Sequence, residues 1–137
     1  MRARMSQFIQ ASHSPCGSWR SMVAKAAAAA TSTVAQLRTI YSNAGQAKTD
    51  AQLWRLIGIT PMIGVNDVSS EVFYPSDAVV VRDFAIGKDL RWLGFWSENR
   101  DRPATASQAG QLSGSHCGLT TVAAYEFATT FLPFQGP

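Results

Sequence analysis

Four tryptophans (Trp19, Trp54, Trp92 and Trp96), nine carboxylates, two histidines and two cysteines are the side chains of this 137-residue chain that could do chemistry. Their spacing excludes several familiar kinds. His13 and His116 stand alone in polar stretches, with no neighbours at metal-ligand spacing, and both read as solvent-exposed. Cys16 and Cys117 form no Cys-x-x-Cys motif. They are either one long-range disulfide of an oxidising compartment or two buried thiols. No Gly-x-Ser-x-Gly elbow is present to activate a serine. What remains is aromatic: the tryptophans carry large apolar surfaces and flat faces that can serve as binding platforms.

The elements that must position these residues come from a chain long enough for one domain with a core, with 46% hydrophobic residues. The net charge of +3 hides an asymmetry. Residues 1–49 hold six basic side chains and no acid, whereas residues 50–137 hold six basic and nine acidic ones. The basic residues are scattered and no aromatics interleave with them, so a nucleic-acid partner is not expected. No window reaches the apolar length of a transmembrane helix, and no membrane partner is expected either. The Arg-, Ser- and Ala-rich, acid-free start has the composition of a mitochondrial transit peptide. The preferred reading is an internal stretch of a longer protein that begins at an arbitrary methionine.

Residues 1–20 show no clear period and read as loop. Residues 21–41 predict a helix: Met22, Val23, Ala26, Ala30, Val34, Leu37 and Tyr41 recur at three- and four-residue spacing, and Gly45 is available as a left-handed cap. A short helical turn over 50–57 is capped by Thr49 or Asp50. The apolar run 57–64 suits a strand buried on both faces, with a bulge or an end at Pro61. Residues 65–75 read as a long loop. A second helix runs from Pro75 to about Gly87, with Val79, Val80, Phe84 and Ile86 apolar, and a second buried strand covers 90–96. Residues 98–118 are polar and irregular. A last helix over about 121–131 directs Tyr125, Phe127 and Phe131 inward. Helices alternating with buried strands argue for an α/β fold with parallel strands.

Two stretches are specific: Leu53-Trp-Arg-Leu-Ile-Gly-Ile-Thr-Pro-Met-Ile-Gly-Val-Asn-Asp-Val-Ser-Ser-Glu-Val-Phe73 and Leu93-Gly-Phe-Trp-Ser-Glu-Asn-Arg-Asp-Arg102. Together they resemble the last two barrel strands of glycoside hydrolase family 18, the chitinase-like proteins. The alanine-rich helix, Cys117-Gly118 and Tyr125-Glu126-Phe127 follow the same order, so the resemblance spans roughly residues 15–134. It implies an α/β fold that is a partial (β/α)8 TIM barrel, the last two strands with flanking helices. Such barrels run to about 250 residues, so 137 residues hold the final third to half. Residues 57–64 would be strand seven and 90–97 strand eight. Residues 1–14 are then a disordered or arbitrary N-terminus, and 15–137 the C-terminal portion of the catalytic barrel.

The resemblance also implies chemistry. Family members cleave β-1,4-linked N-acetylglucosamine polymers with one glutamic acid and the substrate's own acetamido group, outside the usual two-carboxylate scheme. That glutamate ends an Asp-x-x-Asp-x-Asp-x-Glu strand, and this chain has no such spacing; Asp77, Asp83 and Asp89 lie six apart, on or beside a helix. No catalytic residue is therefore expected here. Trp96 matches the tryptophan that floors the central sugar subsite. Met62 and Asn66 would line the pocket wall, although Asn66-Asp67 is equally a turn that caps the strand. Trp92 has no such match and is expected to pack. Glu71 reads as a solvent carboxylate, Glu98 as a variable position, and Arg100 and Asp101 as a structural ion pair. The implied partner is chitin or an N-acetylglucosamine oligosaccharide, with self-association able to complete the barrel. No cofactor or metal is called for, and the implied location is extracellular. A binding module without catalysis, lectin-like, is the alternative.

Overall fold

The computed structural model describes residues 22–68 and 70–137. The expectations for residues 1–20, which include His13, Cys16 and Trp19, lie outside that range. In chain order come α1 (Met22–Asn43), α2 (Asp50–Trp54), β1 (Gly58–Ile59), β2 (Gly64–Val65), β3 (Val72–Phe73), α3 (Pro75–Lys88), β4 (Trp92–Leu93) and α4 (Glu126–Phe131), with 3-10 turns at Glu98–Arg100 and Ala106–Gln108 between the last two.

Helix α1 buries Ala30 and Val34, and Met22, Val23, Ala26, Leu37 and Tyr41 pack half-buried beside them. This is the stripe its sequence predicts. Thr31, Thr33 and Thr39 are poor helix formers, and each hydroxyl donates to the carbonyl four residues earlier. Gly45, at φ +69°, ends the helix. The Gln46 N–H reaches the Tyr41 carbonyl and the Gly45 N–H the Ser42 carbonyl, so the last carbonyls are satisfied by a left-handed cap. Thr49 and Gln52 then cap α2 reciprocally.

Strand β1 pairs with β4 in parallel, Gly58 opposite Trp92 and Ile59 opposite Leu93. A parallel bridge between Met62 and Trp96 extends the pairing. Pro61 does not break it: its missing N–H is not called upon, and its carbonyl accepts the Trp96 N–H at 2.9 Å. The Ile63 N–H in turn donates to the Trp96 carbonyl at 3.0 Å. Residues 65–75 differ from the expected loop. Strands β2 and β3 form a short antiparallel hairpin, Gly64 opposite Phe73 and Val65 opposite Val72. Two-residue strands carry too little alternation to be read from sequence.

Side chains alternate across the β1–β4 layer. Ile59 and Ile63 are buried, and Leu93 and Phe95 half-buried, on the face that meets the helices. The core they enter includes Leu53, Phe73, Val81, Leu90, Phe127 and Phe131. Helix α3 contributes Ala78, Val81 and Ala85 to it, while Val79, Val80 and Ile86 face solvent. Its apolar residues thus do not all lie on one stripe, and the packed stripe is the small-residue one. Helix α4 is shorter than predicted. Tyr125 takes a left-handed conformation (φ 62°) and is exposed, so helical geometry starts only at Glu126.

Candidate functional site

The three residues singled out from the sequence come together at the C-terminal end of the parallel pair. Met62 and Trp96 face each other across the bridge, and the Asn66 side chain reaches back to the Met62 carbonyl at 3.2 Å. Gly58, Thr60 and Met62 of one strand and Trp92, Gly94 and Trp96 of the other share the sheet face turned away from the helices. Trp96 is 51% exposed and Trp92 63%. Trp92 therefore differs from its expected packing role. Its indole lies against Gly58 and Gly94, where an added Cβ would come within 2.5 Å and 2.8 Å of Trp92 atoms. The two glycines make room for the ring, but among the described residues no helix covers it.

Asn66 is 5% exposed, and its amide NH2 donates to the carbonyls of both Met62 and Gly64. The turn-capping role is thus occupied, and only the amide oxygen is left for another partner. Gly64 needs its positive φ of +73°, and a Cβ there would fall 2.0 Å from the Cys117 carbonyl. The segment around Cys117 thus lies directly on the end of β2, where the Val65 N–H donates to the same carbonyl at 2.8 Å.

Arg100 and Asp101 are both fully buried, and they are not the expected ion pair. Arg100 donates from Nε and Nη2 to the Ile63 carbonyl at 3.3 and 2.8 Å, from Nη2 to the Val65 carbonyl at 2.6 Å, and from Nη1 to the Ser113 carbonyl. Its guanidinium carbon sits 5.5 Å from the centroid of the Trp96 ring, within cation–π range. Burial lowers the pKa of this guanidinium from its ordinary value, with the nearby Cys117 acting in the opposite sense. Asp101 accepts the N–H groups of Phe127 (3.1 Å) and Ala128 (2.8 Å), which caps α4 from a distant loop. The two charged side chains thus tie the polar stretch 98–118 to the strands and to α4, and their roles were missed in the sequence. Two adjacent opposite charges after an apolar strand suggest each other as partners, while both partners here are backbone groups far away in the chain.

His116 is also buried rather than exposed, and its Nδ1 accepts the Gly118 N–H at 3.2 Å. Cys117 is a buried free thiol whose pKa is raised by burial, and hydrogen bonding at Leu119 opposes the shift. Glu71 is not simply solvated: it pairs with Lys25 of α1. Glu98 is exposed on the first 3-10 turn. Among the described residues no three His, Cys, Asp or Glu side chains gather to hold a metal ion. A groove of about 390 Å³ lies elsewhere, between α1 and β1, lined by residues such as Ala26, Ala29, Ile57 and Pro61 and without Trp96, Met62 or Asn66.

No family model matches the chain. It is 41% identical over 107 residues to a probable bifunctional chitinase/lysozyme of Escherichia coli (strain K12), an alignment covering 77% of this chain and 12% of the relative. It is 45% identical over 75 residues to endochitinase 11 of Metarhizium anisopliae, covering 55% of this chain and 14% of the relative. The chain thus spans less than a sixth of the length of these curated relatives. The catalytic domain of a hyperthermophilic chitinase from Pyrococcus furiosus superposes with a TM-score of 0.71 at 35% identity, over 81% of this chain and 34% of that one. Catalytic-site mutants of active domain 2 of the Pyrococcus furiosus chitinase, complexed with chito-oligosaccharides, give a TM-score of 0.72 at 35% identity. The chain is thus similar in sequence to chitinases, and its fold matches part of a chitinase catalytic domain.

Proposed function

We propose that this chitinase-related chain is the C-terminal portion of a family 18 glycoside hydrolase barrel, with β1 and β4 as its last two strands. Its part in the activity is to supply one wall of a site for β-1,4-linked N-acetylglucosamine oligosaccharides. The observation that carries this reading is the half-exposed indole of Trp96 beside Met62, at the C-terminal end of two parallel strands. Barrels of this kind place their sites at that end. A flat aromatic ring suits the apolar face of a pyranose, and Met62 adds a polarizable flank. Hydrolysis by these 137 residues alone is not expected, since the Asp-x-x-Asp-x-Asp-x-Glu strand is not among them. Secretion is part of the same reading, as is association with further barrel strands along the free edge of β1.

A binding role without catalysis is the second reading, favoured by a proposed sugar-stacking ring with no acid side chain packed on it among the described residues. Both readings require the chain to bind. Titration with chitotetraose, followed by tryptophan fluorescence, is expected to saturate, with cellotetraose, which lacks the acetamido groups, binding more weakly. Trp96→Ala is expected to remove about 2 kcal/mol of binding, roughly a thirtyfold loss. Equal binding by the Trp96→Ala variant would sink the proposed platform. Measurable release of sugar by the chain alone would overturn its catalytic silence.

A further inference from the structure

Arg100 is the largest fully buried side chain among the described residues, and no carboxylate there pairs with it. Its counter-charges are the carbonyl dipoles of Ile63, Val65 and Ser113. Three nitrogens engaged on three carbonyls fix the plane of the guanidinium, because the fork is rigid. The guanidinium carbon lies over the Trp96 indole, 5.5 Å from the ring centroid. Arg100 is 0% exposed and Trp96 is 51% exposed. The guanidinium therefore backs the protein side of the ring, and the opposite π-face is the open one.

We propose that Arg100 is the positioning residue of the Trp96 platform. It seats the indole by a cation–π contact and holds it in register with β2 through the Ile63 and Val65 carbonyls. The inference rests on Trp96 being the sugar-stacking residue. A lysine at position 100 would keep the charge but lose the planar fork, leaving the indole free among its staggered χ1 wells. If about one well in three is competent to stack, affinity falls about threefold, in proportion to the competent fraction.

Two measurements on the full 137-residue chain decide the matter. By NMR, the Arg100 side-chain protons of the unaltered chain are expected to be shifted upfield by the indole ring current. They should show NOEs to Trp96 and lose the shift in Trp96→Leu. Arg100 protons at ordinary shifts, without those NOEs, would overturn the proposal whether or not any variant folds. Next, the Kd for chitotetraose of Arg100→Lys is compared with that of the parent, at a temperature where circular dichroism shows both folded. The expected result is a roughly threefold higher Kd together with a changed Trp96 indole N–H resonance. A lower melting temperature with an unchanged Kd would mean that Arg100 only holds strands together, and the proposal fails. If the unaltered chain does not bind chitotetraose, it is the sugar reading that fails, and the ring-current result alone judges the Arg100–Trp96 contact.

Discussion

Asp101 offers the sharpest test of how this loop-rich chain is held together. Its carboxylate is fully buried and accepts the N–H groups of Phe127 and Ala128, so Asp101→Ala leaves two donors at the start of α4 without acceptors. Hydrogen bonds to charged groups contribute about 1.5–3 kcal/mol each, whereas loss of an ordinary exposed cap costs about 1 kcal/mol. The Phe127 N–H lies in a buried contact and the Ala128 N–H in a partly buried one, so the sum falls near 3 kcal/mol. For a chain of this length that is a drop in melting temperature of about 10 °C. Asp101→Asn keeps one oxygen and turns an NH2 toward the other donor, and is expected to lose about half as much stability. Urea unfolding gives the stability differences, and amide exchange at Phe127 and Ala128 shows where they arise. A loss below about 1 kcal/mol for Asp101→Ala, or unaltered protection of those two amides, would refute the assignment of Asp101 as the cap of α4.

Gly64→Ala is expected to lose more than about 2 kcal/mol, since a left-handed alanine is strained and its Cβ would overlap the Cys117 carbonyl; a variant within 0.5 kcal/mol of the parent, roughly the scatter of surface substitutions, would show that the loop simply moves aside. Asp77 gives the pH-dependent case: burial raises its pKa above 3.8, with the Tyr74 N–H pulling the other way. A raised carboxylate contributes stability that is complete below its unfolded pKa and lost as pH rises through the folded one. Asp77→Asn, which keeps an acceptor for the Tyr74 N–H, is thus expected to match the parent in urea unfolding at acid pH and to exceed it at neutral pH. A parent that gains on the variant as pH rises would mean that attraction of the anion to the start of α3 outweighs its burial.

The long-period features were legible in the sequence and the short ones were not. The stripe of α1, the Gly45 stop and the Pro75 start of α3 each repeat or punctuate over enough residues to be read, and the structure has them at those places. The β2–β3 hairpin has two residues per strand, too few to show a period. Tyr125 fits a helical pattern by type, but its left-handed backbone places it outside the helix. The burial of His116 and the backbone clamps of Arg100 and Asp101 depend on which distant carbonyls and N–H groups arrive beside them, and local spacing carries no record of that. Met62, Asn66 and Trp96 were legible as a group only through the two motifs that hold them, and nothing in their spacing marks them as neighbours.

Trp92 shows why exposure has to be judged by sheet face. Leu93 and Phe95 meet the helices, Phe95 with its ring centroid 5.8 Å from that of Phe131, and Phe131 is itself in the core. Alternation then commits Trp92 and Trp96 to the other face. Among the described residues only β1 and β4 make up the layer and no further strand curves over that face, so both indoles stay exposed. Their surroundings nevertheless differ. Trp92 lies against two glycines, a fit shaped by the absence of Cβ atoms, and no charged group is placed on its ring among the described residues. Trp96 sits at the strand end, half-exposed, with the hydrogen-bonded Arg100 guanidinium over its ring. A ring cushioned on backbone is suited to being covered by more protein, whereas a ring clamped from behind at the rim of the layer is suited to a ligand that comes and goes. That difference in support, more than the degree of exposure, is the reason Trp96 rather than Trp92 is the proposed binding residue.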